Sequence, residues 1–150
     1  MQGFLYYQLL GNIEMILPSK TEVRNICREA IKNNDFKTIE KLLVDADNFK
    51  ADASKFFVDY LLTSLIRIST TKHHANYAYY LFSEFIVEFK NERILRGLYY
   101  KFISLFRQLN YREGFFRLLK SLQRDIDNKK LVNMVTLEHY IVKSWNIYRF

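Results

Sequence analysis

The sequence is poor in residues that interrupt helices or crosslink a chain. Its 150 residues include one proline, four glycines and one cysteine. The single cysteine, Cys27, excludes an internal disulfide and favours a reducing, intracellular compartment, which we expect to be the cytoplasm or nucleus, with an organelle as the alternative. Cys27 also shares an apolar helical stripe with Val23, Ile26 and Ala30. This spacing predicts a buried thiol rather than a reactive one.

Strand signals are nearly absent as well. No run alternates apolar and polar residues for long, and neither the Asn-Gly nor the Asp-Gly hairpin turn occurs. Because both signals are typical of β-structure, their absence leaves an all-α fold.

Catalytic and metal-binding motifs are missing too. The chain has no Cys-His zinc spacing, no glycine-rich phosphate loop, no Gly-x-Ser-x-Gly turn and no HExxH sequence. His73 and His74 are adjacent, so on a helix they point about 100° apart and cannot jointly chelate one metal ion. His139 stands alone in an apolar helix, where packing is the simpler interpretation. We therefore predict a protein that is not an enzyme and that has no cofactor and no metal site.

The first 17 residues contain no Lys or Arg. A secretory signal begins with basic residues and a mitochondrial presequence requires Arg, so neither is indicated. Gln8, Asn12 and Glu14 interrupt the apolar stretch well short of a membrane span. We expect this segment to form a packed first helix without membrane insertion.

What the chain does contain is large apolar side chains. It has 13 Phe and 11 Tyr, and hydrophobic residues make up 49% of the sequence against 26% charged residues. A composition this rich in aromatics argues against disorder, and the length is that of one domain. We therefore predict one all-helical domain over residues 1–150.

The helical pattern recurs along the chain, with a capping box at Ser19 and Glu22 and capping signatures at Asn91 and at Asn110 with Glu113. The predicted helices cover 20–33, 36–46, 54–69, 74–90, 92–109, 111–126 and 129–148, with a polar loop over 47–54. With residues 1–17 this gives about seven or eight antiparallel helices, arranged either as a short α-solenoid or as an irregular helical bundle.

The helix at 92–109 is strongly amphipathic. At 100° per residue, one arc is apolar and the opposite arc carries Arg93, Arg96, Tyr100, Ser104 and Arg107. We expect Arg93, Arg96 and Arg107 to lie exposed along one side of this helix. The next helix repeats the pattern, so the two should turn back on one another. The residues predicted to be most buried are Phe102, Phe106, Leu118, Leu119 and Leu122.

Apolar doublets recur at Leu42-Leu43, Leu81-Phe82 and Leu118-Leu119, with spacings of 39 and 37 residues. Residues 31–37 also echo residues 106–112, which lie 75 positions later. Helical-repeat families have periods of roughly 33 to 47 residues. The spacing is therefore compatible with a repeat protein.

Two stretches resemble such families. Residues 25–47 resemble one ankyrin unit, in which the small residue, the turn and the apolar pair correspond to Ala30, Asn34, Asp35, Ile39, Leu42 and Leu43. The opening Thr-Pro-Leu-His of that repeat is replaced by Asn25-Ile26-Cys27-Arg28. Residues 60–126 resemble tetratricopeptide or pentatricopeptide helix pairs, although the tetratricopeptide Trp, Gly and Pro positions are not filled. The resemblance implies stacked helix pairs; the alternative is an irregular bundle with accidental self-similarity.

The charge is unevenly distributed. The net charge is +7, and the segment from Lys90 to Lys130 alone holds 11 basic and four acidic residues. This third of the chain therefore carries the whole positive excess. The candidate binding residues form a basic stripe on two consecutive helices: Arg93, Arg96, Tyr100, Arg107, Arg117, Lys120 and Arg124.

Three interpretations of the stripe remain open. The chain also holds more tyrosines than a core of this size needs, among them Tyr7, Tyr79, Tyr80, Tyr99, Tyr100 and Tyr111. A basic and aromatic surface suits an acidic protein partner or self-association, which makes a non-enzymatic binding or adaptor domain our first hypothesis. The alternative function is binding of RNA or single-stranded nucleic acid by a helical repeat. A solvated basic face would serve solubility alone.

Overall fold

The computed structural model describes residues 19–47, 52–85 and 91–148. Within these ranges the chain forms α-helices and no strand. The described helices are α1 (Lys20–Asn33), α2 (Phe36–Asp47), α3 (Asp52–Ile68), α4 (Lys72–Phe85), α5 (Glu92–Gln108), α6 (Arg112–Asp127) and α7 (Val135–Tyr148). The all-α fold class is confirmed. The repeat solenoid stays a prediction, and the helix expected over residues 1–17 lies outside the described residues.

The chain divides into two compact units, Met1–Ser64 and Leu65–Phe150, with the boundary inside α3. We refer to them as the N-terminal unit and the C-terminal unit. The expectation of a single domain stays a prediction. No described helix is both long enough and apolar enough to cross a membrane.

The N-terminal unit begins with the predicted capping box. The Glu22 N–H donates to Ser19 Oγ at 3.2 Å, and the Ser19 N–H donates to Glu22 Oε1 at 3.4 Å. Asn34 ends α1 in the left-handed conformation, with φ of 53°, which Asn adopts at lower cost than most residues. Both ends of α1 therefore follow from its sequence, as predicted.

The core of the N-terminal unit is aliphatic where α1 meets α2. The thiol of Cys27 is fully buried there with Ala30, and α2 contributes Ile39 and Leu43. Burial raises the pKa of the thiol to about 12. Because the thiolate is the reactive form, Cys27 is a packing residue, as predicted.

In the C-terminal unit, α5 packs against α4, α6 and α7. Rings fill the space beside α4: Phe82 lies 5.1 Å from Tyr99 and 5.2 Å from Phe102, measured between ring centroids. Tyr79 meets Phe102 and Phe106 edge to face at 5.5 and 5.7 Å. Edge-to-face contacts of this kind add to the stabilisation that burial gives.

Four of the five residues predicted to be most buried are confirmed, namely Phe102, Phe106, Leu118 and Leu122. The fifth prediction was wrong, because Leu119 is only half-buried. Leu119 lies about 100° around α6 from Leu118, at the edge of the face that α6 turns toward the core.

The predicted start of α6 was also wrong. Asn110 does not cap α6; it has φ of 51° and ends α5. The Tyr111 N–H donates to Phe106 O at 2.7 Å, and the Asn110 N–H donates to Arg107 O at 3.1 Å. This pair of hydrogen bonds is a Schellman motif, and Tyr111 precedes α6 without a side-chain cap. The similarity between residues 31–37 and 106–112 is therefore out of register with the structure by one residue. It aligns Asn34 with Leu109, whereas the residue in the left-handed conformation is Asn110.

Three further boundaries differ from the sequence prediction by two residues or more. The final helix begins at Val135 rather than at 129, because Lys129 has φ of 59° and ends α6. The polar loop predicted over 47–54 was too long, since α3 begins at Asp52. The helix predicted from 74 begins at Lys72, and its predicted end beyond residue 85 lies outside the described residues.

Candidate protein-binding surface

The structure separates the seven predicted binding residues into two groups. The α5 group consists of Arg93, Arg96, Tyr100 and Arg107, and the α6 row consists of Arg117, Lys120 and Arg124. Tyr100 of the α5 group lies against Tyr140 of α7, whereas Arg117 of the α6 row hydrogen-bonds to Asn76 of α4. A sequence-based helical arc shows which residues are polar, but not which neighbouring helix covers them.

The α5 group is partly covered by α7. The Tyr100 ring lies 4.4 Å from the Tyr140 ring, measured between centroids. Hydrogen bonding to Tyr100 raises the pKa of Tyr140, and the positive charge of Arg107 lowers it. Arg93 is exposed, whereas Arg96 and Arg107 are half-buried. The expectation that all three arginines lie exposed along one side of the helix was therefore wrong for two of them.

Arg96 belongs to a structural contact that the sequence did not indicate. Its guanidinium lies 3.3 Å from Glu92 Oε1 one turn earlier. The same oxygen accepts the N–H groups of Val132 and Asn133 at 2.9 and 2.8 Å. These two backbone hydrogen bonds, with a contribution from Arg96, lower the pKa of Glu92. Glu92 thus fastens the segment before α7 to the start of α5.

The α6 row is exposed. At 100° per residue its three members fall within about 60° around α6, and all three side chains are exposed. Among the described residues, none of the three forms a salt bridge. Glu113 lies one turn before Arg117 on the same helix, yet the two do not pair. The row is therefore a line of three cations without salt bridges, and the exposed carboxylates of Glu113 and Asp127 lie before and after it on the same side of α6.

Arg117 is instead held by α4. Its Nη2 donates to Tyr111 Oη at 2.9 Å and also to Asn76 Oδ1. Tyr111 Oη donates to the same Asn76 oxygen at 3.0 Å. Two cations lie against the Tyr111 ring, with Lys72 Nζ 5.5 Å and Arg117 Cζ 5.8 Å from its centroid. We call Lys72, Asn76, Tyr111 and Arg117 the Tyr111 cluster.

Gly114 allows the Tyr111 ring to lie close to α6. A Cβ atom at Gly114 would stand 2.8 Å from Tyr111 Cδ2 and 3.0 Å from Cε2, closer than two carbon atoms pack. Sequence reasoning missed Lys72, Asn76 and the role of Tyr111 because their contacts join α4 and α6 across the fold. The one local signal of this contact was a glycine, Gly114, three residues after Tyr111.

Three of the six tyrosines thought to be surplus to the core are structural. Tyr79, Tyr99 and Tyr111 are buried. The Tyr99 hydroxyl donates to the buried carboxylate of Asp125, and the Tyr79 hydroxyl lies 2.7 Å from Ser121 Oγ. Burial raises the pKa of both tyrosines, and Asp125 adds to the shift at Tyr99. These hydroxyl groups therefore stay protonated and hydrogen-bonded inside the C-terminal unit.

Few aromatic rings of the described residues are exposed. Tyr80 and Tyr100 are exposed by 53% and 37%, and Trp145 by 47%. Tyr100 and Trp145 each pack on another ring, the latter on Phe116 at 5.3 Å. Tyr7 lies outside the described residues.

The histidines do not form a metal site in the described part of the chain. Among residues 19–47, 52–85 and 91–148, no group of three His, Cys, Asp or Glu side chains could hold a metal ion. The Thr70 N–H lies 3.4 Å from His74 Nδ1, at the start of α4. His139 is exposed, and its ring lies 5.6 Å from that of Tyr140.

Comparisons of this chain with protein-family models, with curated proteins and with solved structures found no match.

Proposed function

We propose that this protein is a non-enzymatic binding or adaptor protein whose C-terminal unit docks an acidic protein partner on the α6 row. The observation that carries the proposal is the α6 row itself, in which three exposed cations share one side of a helix and form no salt bridge among the described residues. An acidic partner would supply the missing counter-charges and would be steered toward the row.

The charge of the C-terminal unit supports the same proposal. Residues 65–150 include 15 basic and seven acidic residues, whereas residues 1–64 include eight and nine. One of the seven acidic residues, Asp125, is buried. A unit with this excess attracts acidic partners over about one Debye length, roughly 8 Å at physiological ionic strength.

The positions of the rings favour a protein over a nucleic acid. Binding of single-stranded nucleic acid relies on exposed aromatic faces on which bases stack. Tyr79, Tyr99 and Tyr111 are buried, and Tyr100 packs on Tyr140. The stacking surface that supported the nucleic-acid hypothesis is therefore reduced, while the exposed cations remain.

Two further proposals concern the cellular location of the protein and its relationship to helical-repeat proteins. We propose an intracellular location, because the single cysteine is buried as a free thiol. We also retain the helical-repeat relationship as a proposal, supported by the consecutive antiparallel pairing of α1 with α2 and of α5 with α6.

Fluorescence anisotropy with two labelled probes tests the function. Decaglutamate represents an acidic protein segment, and decauridylate represents single-stranded RNA. We expect the full chain to bind decaglutamate with an affinity that falls as salt is added, because exposed charges are screened. Binding of decauridylate alone, with a steep logarithmic dependence on salt, would replace the proposal with the nucleic-acid function. If neither probe binds at low salt, the α6 row is a solvated surface without a binding role.

A further inference from the structure

The polar side chains of the Tyr111 cluster leave more hydrogen-bond donors than acceptors unused. Asn76 Oδ1 accepts from both Tyr111 Oη and Arg117 Nη2. The Tyr111 hydroxyl donates to Asn76 and accepts from Arg117. Because these bonds fix the orientation of the Asn76 amide, the groups left over are the two N–H bonds of Asn76 Nδ2, the remaining N–H bonds of Arg117 and the Lys72 ammonium.

Both cations of the cluster lie against the Tyr111 ring. Lys72 and Arg117 both lie within 6 Å of one ring centroid. Arg117 is directed there by Asn76 and Tyr111, although Glu113 is available one turn away on its own helix. An arginine fixed in this way has already lost side-chain freedom, which lowers the entropic cost of binding an anion.

We propose that Lys72, Asn76 and Arg117 anchor a phosphate group carried by a side chain of the protein partner. This inference rests on the proposed function, since it names the modification that the acidic partner carries. A phosphate group has three acceptor oxygens and a charge near −2 at neutral pH. It therefore matches three donor side chains and two cations better than a carboxylate, which has two oxygens and one charge. The exposed α6 row, which continues from Arg117 through Lys120 to Arg124, receives the acidic residues next to that phosphate.

NMR titration of the full chain with N-acetyl-O-phosphoserine amide tests the anchor directly. We expect saturable shifts of the side-chain N–H signals of Asn76 and Arg117. The variant Lys72→Gln should weaken this binding by about tenfold or more, because one charge-assisted contact is lost. The matched control Lys143→Gln removes the same charge from an exposed side chain of α7, outside the cluster and the α6 row, and should change the affinity by less than about twofold. N-acetyl-glutamate amide should bind more weakly than the phosphorylated probe.

Several results would overturn the anchor, and they differ from those that would overturn the proposed function. If decaglutamate binds but the phosphoserine probe moves neither side chain, the anchor is wrong and the acidic-partner proposal stands. Equal effects of Lys72→Gln and Lys143→Gln would show general attraction to the basic C-terminal unit rather than a phosphate site. If the shifts of the Asn76 and Arg117 signals show that decauridylate binds more tightly than the phosphoserine probe, the cluster recognises the phosphates of a nucleic acid. If none of these probes binds, both proposals fail.

Discussion

The two compact units of this chain differ in charge and in what fills their interiors. By sequence the N-terminal unit has a net charge of −1 and the C-terminal unit +8. Where α1 meets α2 the buried residues are aliphatic, whereas α4, α5 and α6 share a network of aromatic rings. Tyr79 and Tyr99 each combine a buried ring with a hydroxyl group that hydrogen-bonds to Ser121 or Asp125 of α6. The basic residues are left for the surface.

The largest effect should come from the aromatic core. Phe102→Ala should lower the free energy of unfolding by about 3–5 kcal/mol, because the cavity would lie between Phe82, Tyr79 and Phe106. Urea unfolding followed by circular dichroism measures the change. The control Tyr80→Ala removes an exposed ring and should stay within about 0.5 kcal/mol. Similar losses in the two variants would contradict the aromatic core.

Two glycines of the C-terminal unit should respond in opposite directions. Gly114→Ala should destabilise by about 1–2 kcal/mol, because its Cβ would clash with the Tyr111 ring and helix propensity offsets only part of that cost. Gly97→Ala should stabilise by up to about 1 kcal/mol, since nothing lies within 4 Å of the added atom. Thermal and urea unfolding measure the change in stability of each variant. A stabilising Gly114→Ala would show that the ring does not lie against α6.

A smaller, pH-dependent effect should come from Glu92. Its pKa is lowered in the folded protein, so its contribution to stability is present above the unfolded value, about 4.3 for Glu, and is lost as the pH falls through the folded value. Hydrogen exchange at Val132 and Asn133 should therefore be faster in Glu92→Gln than in the wild type at neutral pH. In acid the difference should vanish, once the change in intrinsic exchange rate is removed. An unchanged difference at low pH would mean that the carboxylate does not hold this segment.

The N-terminal unit also shows where sequence reasoning succeeds. Both ends of α1 follow from local signals, the capping box at Ser19 and the left-handed Asn34. The buried residues Val23, Cys27 and Ala30 follow from the helical period alone. Because α1 buries a single apolar stripe, its hydrophobic pattern alone predicts which of its residues are buried.

In the C-terminal unit the same reasoning reaches the core but not the surface. The 100° step correctly buries Phe102 and Phe106, yet it assigns Arg96 and Arg107 to an exposed face that α7 partly covers. Asn110 shows a second reason why the sequence prediction fails. An asparagine between two helices can cap the second helix or end the first, and only the backbone conformation decides between the two. The contacts of Arg117 with α4 depend on tertiary structure and leave no periodic signal.

Reversal of two charges in the α6 row, with the same reversal in the N-terminal unit as control, tests the central claim most directly. Lys120→Glu/Arg124→Glu and Arg28→Glu/Lys37→Glu change the net charge equally, and all four side chains are exposed. Exposed charges contribute little to stability, so both variants should melt close to the wild type. The account predicts that the α6 variant binds labelled decaglutamate at least about tenfold more weakly, and that the control loses less than about twofold. Equal losses in the two variants, or no loss in either, would contradict it.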